Sequence, residues 1–546
     1  MNPSSPPSTL ERSPLMRCLR WFFSPRGLRR LAIVLAWAAT LIALFYAEEN
    51  WRGWRAWNKY RQECEARGVQ LNYQTLWPKP VPDDQNFAAT PAVKSWFENS
   101  GGADCEKRWM DKFSLASRRV PSAGAGGRLT GKRRFVDLVA WEEAFAAIQP
   151  GQTVPPREEF ASNQLDRESR AKAAPGVLAG LKTHEPVFEE LRAASRRSVS
   201  RYPLQYDVES PHVMSMPHTE NLWAACRRLE LRACAELAAG QSEAALEDVK
   251  LMLYLADSVR GEPIVISQWD RVSWFSRAVQ PIWEGLTEHV WSQSQLQELA
   301  TQLLRYDFLA DGRYGLDAER AGALWTIDCI AKSDQLGQML LFSDERSVSS
   351  MTLNQLTRWP ILIVRLMPSG WLAWEKLNYC RNFEIYLRSG FEPSHKRVSP
   401  AQIQANAAEA DRLHRENRRS HLRAALGHSL AAAMLLPPHC ESLVRGFIFG
   451  QAIADQATLA CALEQYRLAH GQFPEKLDAL RPQFISQSVK DALTGEPYKY
   501  RRTEDDRFVL YSAGWNEKDD GGTVALQKDG NLDLKNGDWV WDYPKP

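Results

Sequence analysis

The segment 200–220, SRYPLQYDVESPHVMSMPHTE, carries the densest set of side chains that could do acid–base chemistry. Histidine with carboxylate can move protons, and polar, aromatic-rich loops on a helical scaffold are common places for binding residues. No nucleophile elbow, HExxH or paired-carboxylate spacing specifies a reaction, so no catalytic residue is assigned. The alternative is a loop that covers a helical hairpin with its polar groups bonded internally. The candidate binding residues are Arg201, Tyr206, Asp207, His212, His218 and Glu220, with Tyr202 beside them.

Two other patterns suggest chemistry less strongly. Residues 126–132 spell GxxxxGK, but Arg133 replaces the Ser or Thr that would hold magnesium, and no apolar strand precedes them, so we interpret them as a loop. His414, His421 and His428 recur every seven residues. Their rings would be rooted about 10 Å apart on a helix, too far to share one metal ion. They predict a packing face, opposite an arginine stripe that is either solvated or binds an anionic lipid or polymer.

These residues belong to a chain of ordinary globular composition. It has 546 residues, 44% of them apolar and 25% charged, with a net charge of +2. The composition excludes a fully disordered chain, a collagen and a multi-span membrane protein. The length allows several domains and a sizeable core.

The N-terminus predicts a membrane anchor. Residues 1–30 hold six arginines and one glutamate, and residues 31–47 hold no charge. As a helix this stretch is about 26 Å long, enough for a short membrane span. Trp51, Trp54 and Trp57 follow at a spacing of three, which suits either an interfacial belt or one packed helix face.

The charge asymmetry predicts topology. The positive-inside rule places the basic tail in the cytoplasm and residues 48–546 outside it. No pair of small residues marks a cleavage site near Ala47, so we expect an uncleaved signal anchor in a bacterial inner membrane, with the bulk of the chain in the periplasm. An oxidising compartment permits disulfides, although cysteines on apolar helix faces are more simply buried hydrophobes.

The elements that must position the candidate residues are mainly helical. Residues 222–237 place an apolar stripe on one face, Gly240 ends that helix, and a second helix runs to a stop at Gly261 and Pro263, so the two predict a helical hairpin. Further helices are expected near 264–288, 293–306, 316–333, 371–389, 399–431 and 441–469, and strands at 497–501 and 508–512. The predicted fold class is mainly α with a small C-terminal α+β module. The predicted regions are a tail (1–30), an anchor (31–47), a stalk and loop-rich region (48–184), a helical body (185–440) and the module (441–546).

The C-terminal hundred residues resemble the globular domain of type II secretion major pseudopilins. The resemblance is carried by a long helix with Tyr466, the turn His470-Gly471-Gln472-Phe473-Pro474, and the strand end Tyr511-Ser512-Ala513-Gly514. The N-terminus lacks that family's cleavage site, and Ala32 stands where a glutamate is expected, so processing and packing into a pilus are not expected. The chain as a whole looks like large membrane-anchored bacterial envelope proteins with this ending.

The resemblance implies a calcium site in the loop 512–538. Calcium takes several hard oxygen ligands from a flexible loop. The spacing is not that of an EF-hand, so from the residues alone a solvated acidic turn is the alternative. The implied ligands are Ser512, Asn516, Asp519, Asp520 and Asp538.

Together these features predict an envelope interaction or scaffold protein without catalytic activity, stabilised by calcium at its C-terminal loop. The expected partners are the lipid bilayer, through residues 31–47, and an envelope protein, with no nucleic acid. The alternative function is an envelope hydrolase that uses the loop 200–220.

Overall fold

The computed structural model describes residues 24–98, 112–117, 120, 133–148, 167–208, 214–332, 367–385, 391–392, 397–419, 427–428, 440–486, 488–505, 507–528 and 530–541. They fall into two compact units. The first draws on Met1–Gly68, Ile330–Tyr379 and Ser420–Met434, and the second on Val69–Cys329, Cys380–Arg419 and Leu435–Pro546.

Helices dominate both units, as predicted. Numbered along the chain, they are α1 (Pro25–Ala66), α2 (Pro91–Glu98), α3 (Lys112–Ser117), α4 (Leu138–Ala147), α5 (Arg167–Leu181), α6 (Glu185–Ala194), α7 (Pro217–Ala238), α8 (Ser242–Asp257), α9 (Val265–Thr287), α10 (Gln293–Leu303), α11 (Phe308–Lys332), α12 (Ser369–Phe383), α13 (Pro400–Arg419) and α14 (Cys440–His470).

Strands occupy a small part of the second unit. They are β1 (Phe391–Glu392), β2 (Arg397–Val398), β3 (Lys499–Arg502), β4 (Phe508–Ser512), β5 (Val524–Leu526), β6 (Leu532–Gly537) and β7 (Trp539–Trp541). All pair antiparallel, in the orders β1-β2, β3-β4-β7 and β5-β6. The mainly α fold with a small C-terminal antiparallel sheet is therefore confirmed.

Helix α1 is the long element of the first unit. It begins at Pro25, its N-cap Ser24 accepts a hydrogen bond from the Gly27 N–H, and it runs for 42 residues, about 63 Å. Residues 31–45 are uncharged and exposed, whereas Gly53, Trp57, Tyr60 and Cys64 in the second half of the helix are buried. The apolar stretch and the residues that follow it therefore form one helix without a break. Trp57 belongs to the packed face of this helix, while Trp51 and Trp54 remain exposed.

The predicted hairpin is the centre of the second unit. Helices α7, α8 and α9 pack against one another, and the predicted stripe on α7 is buried along its length. Gly240 ends α7 with a φ of 76°, and the Gln241 N–H donates to the Glu236 carbonyl, which closes the turn into α8. Helix α14 then packs on α9 and α10, so the long helix of the C-terminal module is part of the same core.

The region 48–184 contains more helix than its sequence suggested. Helices α4 and α5 pack together with α3 and α7 around one apolar cluster that includes Phe113, Leu138 and Val177. Their helical segments are short and alanine-rich, so their apolar periodicity is weak in sequence. Packing against α7 supplies the stability that local propensity lacks.

The end of α14 turns back onto the C-terminal sheet. Gly471 ends the helix with a φ of 78°, and the Phe473 ring packs edge-on against Phe508 of β4. The Tyr500 hydroxyl donates to the Pro474 carbonyl at 2.6 Å. The turn thus fastens the helix end to the sheet.

Candidate functional site

His218 is the innermost residue of the predicted binding loop. It lies in the first turn of α7, and its side chain is fully buried. Its ring stacks on Tyr202, with centroids 4.2 Å apart, and on Phe97 at 5.8 Å. Its Nε2 lies 2.9 Å from Glu262 Oε1. The geometry of this contact does not make a hydrogen bond.

Glu262 is the centre of this polar group. It lies between α8 and α9, is 3% exposed, and its second oxygen accepts a hydrogen bond from the Ser267 hydroxyl. Burial raises the pKa of the Tyr206 and Tyr314 phenols, and the Glu262 carboxylate raises the pKa of both further. We call the residues around this carboxylate the Glu262 cluster. Its members are Tyr73, Tyr202, Tyr206, His218, Glu262, Ser267, Asp270 and Tyr314.

Several polar atoms of the Glu262 cluster and of the adjacent Trp77 lack hydrogen-bond partners. Among the described residues, the Tyr73 hydroxyl, the Tyr206 hydroxyl and Trp77 Nε1 are buried without one. The Trp77 ring contacts both tyrosines, at centroid distances of 6.3 Å each. A buried polar group without a partner destabilises the fold by about 1–3 kcal/mol. These donors could therefore bind ordered water or a small ligand with acceptor groups.

Asp270 is the group of the cluster best suited to exchanging protons near neutral pH. Burial raises its pKa to about 6, against the opposing influence of His218 and with a further contribution from Glu262. Tyr202, in contrast, is fully bonded, because its hydroxyl lies 2.9 Å from Ser258 Oγ. Burial raises the Tyr202 pKa so far that the phenol stays neutral.

The other predicted loop residues do not join this centre. Arg201 donates from Nε to the Pro78 carbonyl at 3.0 Å and so fastens the loop to the segment 73–78. Asp207 and Glu220 are exposed, and His212 lies outside the described residues. Of the candidates, the structure brings Tyr206 and His218 to the Glu262 cluster and leaves the two carboxylates at the surface. No acid–base set converges among the described members of the loop.

Sequence reasoning missed Glu262, Tyr73, Asp270 and Tyr314. They come from four different segments, and only the fold brings them together. One signal was present, since Glu262 stands between Gly261 and Pro263, at a helix break flanked by apolar residues. A carboxylate in such a break is positioned to be buried.

The predicted calcium ligands form a hydrogen-bonded loop. Asp538 is buried, and its carboxylate accepts from the backbone N–H groups of Asp520 (3.2 Å), Gly522 (2.6 Å) and Thr523 (3.3 Å). Asp519 accepts from the Tyr511 hydroxyl at 3.0 Å. Asn516 Nδ2 donates to Asp520, which also faces Lys518 Nζ at 3.5 Å.

Ser512, the fifth predicted ligand, lies at the end of β4. It accepts from the Gly514 N–H at 3.2 Å and donates to the Asp491 carboxylate. Within the described ranges, no group of three or more His, Cys, Asp or Glu side chains is placed to hold a metal ion. Calcium binding by the five predicted ligands stays a prediction.

The remaining sequence patterns are only partly described. The GxxxxGK segment 126–132 and His421 lie outside the described residues, as does the side chain of His414. His428 packs against Trp371 and Trp374, with centroid distances of 5.0 and 6.3 Å. Burial lowers the pKa of its imidazole.

Within the part of the chain that the structure describes, two helices are long and apolar enough to cross a membrane. In the segment Glu441–His470 the apolar window is 94% buried, as expected for a core helix, whereas in α1 none of it is buried.

Comparison with protein-family models, with curated proteins and with solved structures gave no match.

Proposed function

We propose that this chain is a single-pass protein of the bacterial inner membrane that acts as a non-catalytic interaction scaffold in the periplasm. The observation that carries the proposal is the exposed apolar surface of α1. Residues 31–45 are all exposed along one continuous helix, and Val34, Leu35, Trp37, Leu41 and Leu44 among them are each 59–67% exposed. A soluble helix buries its apolar side chains against a partner. Lipid is the environment in which side chains on all faces of this helix are solvated.

The orientation rests on the flanking charges. Arg29 and Arg30 immediately precede the apolar stretch, and Glu48 and Glu49 immediately follow it. The positive-inside rule then places the N-terminus in the cytoplasm and residues 48–546 in the periplasm.

The scaffold role is supported by how the second unit uses its charges. Buried arginines pair with buried or half-buried carboxylates between helices, as in Arg170 with Glu284 and Glu288, Arg232 with Asp248, and Arg271 with Asp257 and Asp311. Removing one partner of such a pair destabilises a fold by about 3–5 kcal/mol. These groups fix helix packing and so favour a rigid framework that presents surfaces.

A reporter fusion tests the anchor and its orientation. An enzyme active only in the periplasm is fused after Pro546, and a matched control is fused after Arg30, before the apolar stretch. We expect activity from the first fusion and none from the second. Cytoplasmic location of the full-length fusion, or its release into the soluble fraction, would overturn the proposal.

Native co-purification tests the scaffold role and the calcium loop together. The full-length protein is isolated from membranes with calcium or with a chelator, beside a variant that carries Asp519→Ala and Asp520→Ala. We expect stoichiometric envelope partners that leave on chelation and are absent from the variant. A protein that purifies alone in both buffers contradicts the scaffold role, and retention of partners by the variant contradicts the calcium site.

A further inference from the structure

The first turn of α12 lies directly on the part of α1 that follows the predicted span. At this crossing the two backbones touch. A Cβ on Gly53 would lie 2.1 Å from the Gly370 carbonyl oxygen, and a Cβ on Gly370 would lie 2.1 Å from the Glu49 carbonyl oxygen. No real side chain tolerates that distance, so only glycine permits this contact at either position.

Polar side chains of α1 complete the junction. The Asn50 side-chain oxygen accepts from the Gly370 N–H at 2.8 Å and from the Ser369 hydroxyl at 3.1 Å. Trp54 Nε1 donates to Ser369 Oγ at 3.3 Å. Asn50 therefore satisfies free N-terminal donors of α12, the role that an N-cap usually has.

Trp371 connects this junction to the span itself. Its Nε1 donates to Glu49 Oε2 at 3.1 Å, and its ring meets the Phe45 ring edge-on, with centroids 6.5 Å apart. Phe45 belongs to the apolar stretch, whereas Glu49 lies beyond its end. The indole thus has its polar edge at the charged side and its ring at the apolar side, the arrangement that tryptophan adopts at a membrane–water interface.

Helix geometry sets the depth of these residues. At about 1.5 Å per residue, Glu49 lies about 3 Å beyond Ala47 and Trp51 about 6 Å beyond it. The headgroup layer on each side of a bilayer is about 5–8 Å thick. If residues 31–47 cross the membrane, the part of the α1–α12 junction formed by Glu49, Asn50 and Trp371 therefore falls within the headgroup layer, whereas Gly53, about 9 Å beyond Ala47, lies at its outer edge.

We propose that the first turn of α12 is a second membrane contact, in which Trp371, together with Trp51 of α1, binds the headgroup layer on the periplasmic side. We assign the lipid bilayer as the binding partner of this surface, because the junction is continuous with the exposed apolar surface of α1. Trp51 is 63% exposed and Trp371 half-buried, so both present ring surface at this level. The inference rests on the proposed function, since it needs the span.

Fluorine NMR of the full-length chain, labelled with fluorotryptophan in lipid nanodiscs, tests the proposal. Single Trp→Phe variants assign the resonances of Trp37, Trp51, Trp371 and Trp515. We expect a nitroxide on the lipid headgroup to remove the Trp51 and Trp371 signals, and a nitroxide at the acyl-chain end to remove that of Trp37. Trp515, which belongs to the second unit and lies outside the junction, is the reference resonance.

The outcomes separate this inference from the proposed function. If Trp37 and Trp51 respond but Trp371 does not, the span stands and the second contact is refuted. If Trp37 is insensitive to both lipids, the span itself fails, and the inference fails with it.

Two variants test the junction within the same experiment. Gly370→Leu should restore the Trp371 signal in the presence of the headgroup nitroxide, because the added side chain pushes α12 off α1, while Trp37 stays quenched. Asn50→Ala is the milder change and should restore it partly. A fully quenched Trp371 signal in both variants would contradict docking through this junction.

Discussion

At the scale of single residues, the structure divides the candidate residues of the loop 200–220 into a buried and an exposed set. His218 is enclosed by two rings and a carboxylate, and the exposed acids of the loop lie away from it. Glu262, Tyr73 and Asp270 lie near the buried members of the loop, and because they come from other segments of the chain, the sequence of the loop alone could not identify them.

The unpartnered hydroxyl of Tyr206 gives a matched pair of substitutions. Tyr206→Phe removes a buried group without a bond, so the free energy of unfolding should stay unchanged or rise by up to about 1 kcal/mol. Tyr202→Phe removes the hydrogen bond with Ser258 and should lower the free energy of unfolding by about 0.5–1.5 kcal/mol. Urea unfolding of both variants measures the difference. An equal loss in both would show that water or a ligand bonds the Tyr206 hydroxyl in solution.

Asp270 should make stability depend on pH. Its pKa is raised to about 6 in the folded chain, so its favourable contribution is complete below its ordinary pKa and is lost as the pH rises through 6. Asp270→Asn removes this loss. The variant should therefore match the parent protein below pH ~4 and exceed it by about 1–3 kcal/mol above pH ~7.

The measurement is the free energy of unfolding across that pH range. Asp207→Asn, at an exposed carboxylate of the neighbouring loop, is the control and should leave the profile unchanged. A constant difference between Asp270→Asn and the parent protein at all pH values would contradict the assigned titration.

At the scale of elements, segments with strong apolar periodicity were predicted correctly from sequence, whereas segments with weak periodicity were not. The hairpin α7–α8, helix α14 and strand β4 lie where apolar spacing and Gly240 or Gly471 place them. Helices α4 and α5 were not predicted, because their alanines give little difference in hydrophobicity between the two faces of each helix. Their burial depends on α7, which is distant in sequence, so local pattern could not reveal it.

The loop 512–538 gives a prediction at this scale, because one carboxylate holds it together. Asp538→Asn should destabilise the chain by about 1–3 kcal/mol in calcium-free buffer, since three backbone N–H groups depend on that carboxylate. Asp519→Asn is the matched control at a half-exposed position and should have a smaller effect. Thermal melting with chelator compares them. Destabilisation by Asp538→Asn only when calcium is added would instead identify Asp538 as a ligand.

At the scale of the whole molecule, the proposed location raises the question of what happens to the thiols. An oxidising periplasm would oxidise accessible cysteines. Cys226 and Cys461 are fully buried on α7 and α14, on apolar faces of the second unit. Burial raises the pKa of Cys226 to about 12 and that of Cys461 well above its ordinary value, so neither forms the reactive thiolate at neutral pH.

We therefore expect both thiols to remain reduced and to be alkylated only when the second unit unfolds. Mass-spectrometric mapping of iodoacetamide labelling against urea concentration measures this at each cysteine. Because both helices contribute to one core, labelling at Cys226 and Cys461 should follow a single transition that coincides with loss of helical circular dichroism. Labelling of Cys461 at a lower urea concentration than Cys226 would show that the C-terminal module unfolds independently. In that case α14 would be less tightly joined to the helical body than its packing against α9 and α10 indicates.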